Sequence, residues 1–259
     1  MKEFCFTVDD NIRCLKELTY GTAYSSIFEH AYLGMYKRLH KKYGLKVQLN
    51  LFYETEGFDL SNMTDRYLDE WQANSDWLKL SFHSKAAKVK PYEFSEYDEV
   101  YGDCQDVHRE IVRFASFSAL GKTTTLHYCL ATPEGIQALK DNGIKGLLGL
   151  YGQETLPRVS YQNTPQECSM MRRGEIVSRN GVAYAGIDVV LNSYSIEEIV
   201  SQLDELKNRD FIKVMIHEQY FYPDYSRYQE NFEEKLSAAF DVLIKNGFCS
   251  IFFEEYLQK

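Results

Sequence analysis

The chain has 259 residues, 44% of them apolar and 15% aromatic, which suits one large domain (residues 1–259) with a sizeable core. Its 29 basic and 38 acidic residues leave a net charge of -9, which argues against nucleic-acid or anionic-membrane partners. No stretch of about 18 apolar residues occurs, so no transmembrane helix is expected. Lys2 and Glu3 precede only a short β-type run broken by Asp9-Asp10, which does not read as a signal peptide. The six scattered cysteines (Cys5, Cys14, Cys104, Cys129, Cys168 and Cys249) contain no CxxC pair and read as reduced thiols of a cytoplasmic protein. Cys104 and His108 have metal-compatible spacing, but such a lone pair is usually chance.

Strand-like and helix-like segments alternate along the chain. Phe4 to Val8 is a first strand, and Ile27 to Tyr43 a helix with Gly44 as its stop. Leu45 to Tyr53 is a second strand. Ser61 or Asn62 is placed to cap a helix running toward Trp71. Leu78 to Phe82 is a third strand, Lys85 to Gly102 a loop, Cys104 to Leu120 a helix, and Thr123 to Tyr128 a fourth strand. Thr132-Pro133-Glu134 is a strong helix start, Asn142-Gly143 the matching stop, and Ile144 to Leu150 a fifth strand. Residues 154–185 break the rhythm. Asn180-Gly181 between β-type runs predicts a hairpin, read as an insertion that shapes either a substrate pocket or a contact between copies. Ile187 to Leu191, a helix capped by Ser195, Phe211 to Ile216, a helix from Phe232 to Asn246, and Phe248 to Phe253 complete the pattern. This alternation predicts an α/β fold with a mostly parallel sheet, an irregular (β/α)7–8 barrel with a β-hairpin insertion.

Three of these strands stop at polar pairs: Asp9-Asp10, His83-Ser84 and His217-Glu218. In parallel α/β proteins the carboxyl ends of strands share one rim, and active sites are found there.

With these residues in order, the chain resembles the polysaccharide deacetylase (NodB-like, carbohydrate esterase family 4) superfamily. Phe6-Thr7-Val8-Asp9-Asp10-Asn11 is similar to its Thr-Phe-Asp-Asp-Gly motif, and Phe82-His83-Ser84 to the start of its His-Ser/Thr-x-x-His motif. Tyr128-Cys129 is similar to the segment after its Arg-x-Pro-Tyr motif, Asp188 to an Asp that supports the catalytic His, and Met215-Ile216-His217 to its Leu-x-His motif. The resemblance implies a metal-dependent hydrolase of the deacetylase type, acting on an N-acetylated or related amide-bearing carbohydrate. It implies Asp9 as base, His217 as acid, Asp188 as its support, and the Tyr128 backbone N–H as an oxyanion donor. It also implies Asp10 and His83 as ligands of a divalent metal, zinc by ligand type.

Two departures stand out. Ala87 occupies the position of the second metal-binding His, and Thr125 that of the Arg expected beside the catalytic Asp. A zinc site needs a third protein ligand. His108, read as starting the helix behind the His83 loop near the rim, is the first candidate, and His127, near the end of the fourth strand, the second.

Structural readings compete with these. Asp9-Asp10-Asn11 also suits a turn and helix cap, and the two strand-end histidines also suit hydrogen-bonded core positions. Tyr220 to Tyr225 suits either a sugar-stacking loop or a lid. The rival functions are a metal-free barrel that binds carbohydrate without hydrolysing it, a glycosidase using two carboxyl groups, and an interaction protein using the hairpin for homo-oligomer contacts. A soluble small-molecule or oligosaccharide substrate fits the missing export signal better than cell-wall polymer.

Overall fold

A computed structural model describes residues 2–21, 24–88, 92–151 and 160–259. The strands are β1 (Lys2–Asn11), β2 (Val47–Phe52), β3 (Glu54–Thr55), β4 (Phe58–Asp59), β5 (Leu78–Ser84), β6 (Thr123–Thr124), β7 (Gly146–Gly149), β8 (Val177–Arg179), β9 (Val182–Gly186), β10 (Val189–Val190), β11 (Phe211–His217) and β12 (Phe248–Ser250). The helices are α1 (Arg13–Tyr20), α2 (Ala31–Tyr43), α3 (Leu68–Ala73), α4 (Tyr97–Ala115), α5 (Pro133–Asp141), α6 (Pro165–Arg172), α7 (Ile196–Glu205), α8 (Phe232–Lys245) and α9 (Phe253–Tyr256). No described helix is long and apolar enough to cross a membrane.

The fold is α/β with a mostly parallel sheet. One sheet runs β10-β11-β1-β2-β5, with β12 also on β1, and all its pairs are parallel. The other runs β6-β7-β9-β8, parallel except for the β8–β9 hairpin. Among the described residues an isolated parallel bridge links Leu80 of β5 to Leu120, just before β6, and the turn from β9 into β10 bonds to both sheets through Ile187 N–H to Gly149 O and Asp188 N–H to Lys213 O. This is consistent with a distorted (β/α) barrel; continuous pairing around a closed barrel is not formed among the described residues.

β1 is buried along nearly its whole length, as a central parallel strand must be. Phe4 and Phe6 face outward, where Phe4 stacks on Phe240 of α8 and Phe6 meets the same ring edge-on, and Phe6 also meets Tyr36 of α2. Asp9 shares the opposite, inward face with Cys5 and Thr7, as the two-residue period of a strand requires.

Helix signals performed unevenly. Thr132 Oγ1 accepts from Gly135 N–H with Pro133 in the first turn, Ser195 and Glu198 form a full capping box, and Gly44 ends α2 in the left-handed region (φ 64°). Asp59, rather than Ser61 or Asn62, caps the turn after β4. The eight-residue α1 is too short to show in the apolar pattern. α4 begins at Tyr97, well before Cys104.

The expected hairpin forms at Asn180-Gly181, with both residues at positive φ as a tight hairpin turn demands. It is only partly an insertion, because β9 pairs along its length with β7 as a regular member of the sheet. Residues 152–159, the start of that expected insertion, lie outside the described residues.

Asp188 differs from its expected role as well. Its Oδ2 accepts from the Lys213 backbone N–H at 2.8 Å and lies 2.8 Å from the Lys213 ammonium as an ion pair, while Oδ1 meets Arg209. Lys213 is fully buried. Asp188 thus neutralises a cation inside the sheet at the junction of β9, β10 and β11, and its contacts do not support His217.

Removing one partner of a buried pair strands the other charge. Asp188→Ala is therefore expected to lower unfolding free energy by about 3–5 kcal/mol. Urea unfolding followed by circular dichroism measures this; the double variant Asp188→Leu, Lys213→Met should recover most of the loss.

Candidate metal centre

Strand periodicity poses a puzzle at Asp9-Asp10, since neighbouring side chains on a strand point to opposite faces. The structure resolves it with a break in register between Val8 and Asn11, where β1 bulges against β2. Asp10 takes a left-handed backbone conformation (φ 64°), which Asp tolerates better than most residues. The bulge re-aims its carboxylate, so both acids reach the same site.

Two neighbours pin the bulge. Asn11 donates to Val8 O at 2.6 Å and accepts from the Tyr32 hydroxyl at 2.7 Å. Glu218, just beyond β11, accepts the backbone N–H groups of Ile12, Arg13 and Cys14 at 2.8–2.9 Å. It caps α1 in place of a local side chain, and Asp9-Asp10-Asn11 is not itself that cap. Glu218 is thereby structural.

Asp10 Oδ1 lies 3.0 Å from His83 Nε2 and 3.3 Å from His127 Nδ1, and its Oδ2 accepts from Gln219 at 2.7 Å. Among the described residues, Asp10, His83 and His127 form the metal-ligand cluster, with ligand atoms all within 4.8 Å of one another. A tetrahedral ion with bonds of about 2.0–2.1 Å holds ligand atoms roughly 3.3 Å apart, so the two nitrogen-to-oxygen spacings fit one.

The tautomers agree with that use. His83 Nδ1 is engaged by the Thr125 carbonyl, and His127 Nε2 by the Ala87 carbonyl at 3.2 Å. A carbonyl only accepts, so in the neutral ring each outer nitrogen carries the proton. In the neutral ring each inner nitrogen is then the one free to bind a metal, as in metal-bound histidines, and only in the doubly protonated ring does it donate to Asp10.

The electrostatics point the same way. Burial resists the charge on Asp10, but hydrogen bonds from His127 and His83 outweigh it and hold the carboxyl far below the usual carboxylate range. Burial likewise resists protonation of His83, yet Asp9 and Asp10 raise its proton affinity above the ordinary value. The cluster carries negative potential that a cation relieves.

Asp9 sits just beneath and is almost wholly buried. Its Oδ1 accepts from Asn50 at 2.7 Å, and Asn50 is held in turn by Gln48 at 2.8 Å. Burial pushes Asp9 above the usual carboxylate range, against the opposing pull of His83, His217 and Asn50. Two adjacent carboxyl groups with opposed proton affinities can take different roles.

Placement of the remaining candidates is mixed. His217 ends β11 in register with Asp9, and its Nδ1 bonds to Asn192 Oδ1 at 2.8 Å. Tyr128 lies at the rim with φ 63°, its exposed ring 4.0 Å from that of His127. The segment that swings His127 inward is tethered by Tyr161, whose hydroxyl accepts from Leu126 N–H and donates to Leu148 O.

His108 is not brought to the cluster. Because α4 starts at Tyr97, His108 lies about three turns, roughly 16 Å, along the helix. Its Nε2 is 3.6 Å from Cys104 Sγ, and α4 packs on α5 there. The second candidate, His127, fills the space instead, leaning on the backbone of Ala87. Gln219, Asn50 and Asn192 carry no signal in sequence that separates them from ordinary polar residues.

No family model and no curated protein matches the chain. Solved structures do. A family 4 acetyl xylan esterase from Clostridium thermocellum, in complex with a cobalt ion, superposes with a TM-score of 0.58 at 11% identity over 99% of this chain and 91% of that one. A family 4 pseudoenzyme from Bacillus anthracis gives 0.54 at 12% identity over 99% and 66%. The 4-alpha-glucanotransferase of Thermococcus litoralis gives 0.63 at 16% identity over all of this chain and 40% of that one. The chain thus has the fold of the polysaccharide deacetylases, with an Asp-His-His metal-ligand cluster on it.

Two measurements check this geometry. Mass spectrometry of native protein should find near one equivalent of divalent ion per chain, lost in His127→Ala and kept in His108→Ala; the reverse would restore His108 as the ligand. Burial also holds the His108 imidazole down at about 4. The unfolded chain therefore binds a proton that the native chain refuses. Stability is full above about pH 6.5 and falls toward pH 4, by on the order of 3 kcal/mol. Urea midpoints across that range should lose this slope in His108→Leu.

Proposed function

We propose that the protein is a divergent member of the polysaccharide deacetylase superfamily and a metal-dependent hydrolase that removes an acyl group from an N-acylated carbohydrate. The observation that carries this reading is the convergence of Asp10, His83 and His127 beside a second, buried carboxyl, Asp9, whose proton affinity burial raises. A bound divalent ion would polarise the acyl carbonyl and lower the pKa of water. Zinc suits a site of one carboxylate and two imidazoles.

The chain's own residues supply the rest. Asp9 accepts the proton of the attacking water, its carboxylate oriented by Asn50. His217, on the neighbouring strand, delivers a proton to the departing nitrogen. The Tyr128 N–H offers a hydrogen bond to the developing oxyanion. The exposed Tyr128 ring, tilted against His127, and Tyr220 near His217 supply apolar faces suited to a sugar ring. The two sheets read as the walls of one irregular seven- or eight-stranded barrel within a single domain. Six unpaired cysteines, five of them buried, suit a reducing compartment such as the cytoplasm and hence a soluble mono- or oligosaccharide.

The metal-free binding barrel drew its support from Ala87 and Thr125. His127 and Asn50 answer both, by replacing the missing ligand and the missing partner of Asp9.

The test is acetate release from N-acetylglucosamine oligomers by protein loaded with zinc or cobalt. Asp9→Asn should lower turnover by roughly 10²–10⁴-fold while metal content stays near one equivalent. Metal-loaded protein that binds these oligomers without releasing acetate would sink the hydrolase reading in favour of the binding barrel.

A further inference from the structure

The resemblance assigns a carboxylate, Asp188, to the support of His217, yet the structure spends Asp188 on Lys213 and Arg209. A different group touches the ring. Asn192 lies in the turn after β10, and its Oδ1 is 2.8 Å from His217 Nδ1.

Asn192 is held from behind. Gln229 Nε2 donates to the Asn192 backbone carbonyl at 2.7 Å, and Lys235 Nζ donates to Gln229 Oε1 at 3.0 Å. Lys235, in the first turn of α8, is 6% exposed, and burial lowers its affinity for the proton against the pull of Glu198. An ammonium can only donate, so it selects which end of the Gln229 amide faces it. The other end must then present N–H groups to Asn192. The chain of bonds has one consistent direction, from Lys235 through Gln229 to the Asn192 backbone.

We propose that Asn192, braced by Gln229 and Lys235, is the positioning residue of His217, and that a neutral amide here takes the place of a carboxylate. The proposal rests on the reading of His217 as proton donor. The Asn192 carbonyl oxygen accepts from Nδ1–H and so fixes the tautomer. Nε2 is left as the nitrogen that gains and loses the proton. The charged groups facing the imidazole are then Asp9 and Asp10 from β1, whose carboxylates act on His217 across the site. Tyr220 flanks the ring from the turn beyond β11.

Nitrogen-15 NMR of the His217 ring, on the whole chain without added metal, reads the tautomer directly and needs no activity. The Nδ1–H form should dominate in the native protein. Asn192→Leu, of similar size without an acceptor, should make it the minor form; Asn192→Asp should restore it; Gln229→Leu should shift it partway. Unchanged signals from His83 and His127 certify that each variant is folded. In metal-loaded protein, Asn192→Leu should lower kcat tenfold or more with little change in KM. An unmoved tautomer in folded Asn192→Leu overturns the proposal. A tautomer that moves in protein that hydrolyses no N-acetyl sugar keeps it and removes the hydrolase reading alone.

Discussion

The site depends on one irregularity, the left-handed Asp10 in the bulge at the end of β1. A regular strand would bury Asp9 inward and send Asp10 outward among the helices, where a carboxylate has no partner. A left-handed non-glycine residue costs on the order of 1–2 kcal/mol, so the surroundings must hold it. Asn11 grips the strand below, and Glu218 ties the three N–H groups above to the end of β11. Because Glu218 follows His217 directly, the lock that shapes the Asp pair also sets the place of the histidine opposite. Backbone strain and site geometry are therefore one property of the β1–β11 pair.

Much of the fold was legible because its signals are local. Thr132-Pro133, Ser195 with Glu198, Gly44 and Asn180-Gly181 each satisfy a backbone need that only a few residue types can meet. β1, β5 and β11 stood out as apolar runs because central parallel strands are covered on both faces. The short pieces did not stand out. β6 and β10 have two residues each: a contact from distant Tyr161 holds the chain just after β6, and the Asp188 contact with Lys213 fixes the chain just before β10. No pattern within a few residues can report such a contact. The start of α4 was misplaced because Tyr97 to Asp103 is rich in polar residues, and that error carried His108 to the rim in the sequence reading.

The site itself was legible in its ends and opaque in its links. Asp9, Asp10, His83 and His217 sit where strands stop, and a strand end is visible in sequence. His127 was ambiguous because β6 ends at Thr124 and His127 sits in an irregular turn whose next two residues, Tyr128 and Cys129, are left-handed. Asn50, Gln219 and Asn192 act only through distance, and nothing in their neighbours marks them. Asp188 misled for the opposite reason. A carboxylate on a late strand satisfies the resemblance, but a fully buried Lys213 on the adjacent strand has the stronger claim on it, since an unpaired ammonium in the interior is costlier than an imidazole without a carboxylate.

The departures from the superfamily pattern are coupled by charge. The pattern places a cationic Arg beside the base and an anionic Asp behind the acid. This chain has Asn50 at the first place and Asn192 at the second. Losing the cation alone would leave a buried carboxylate less compensated, and losing the anion alone would leave an imidazolium less compensated. Losing both keeps the summed charge of the pocket unchanged, while each amide preserves one directed hydrogen bond: a donor to Asp9, an acceptor for His217. What remains to balance Asp9 and Asp10 is His83, His127, His217 and any cation the three ligands would hold. Orientation and charge compensation, joined in one ion pair in the pattern, are here divided, with orientation given to amides and compensation to the metal-ligand cluster.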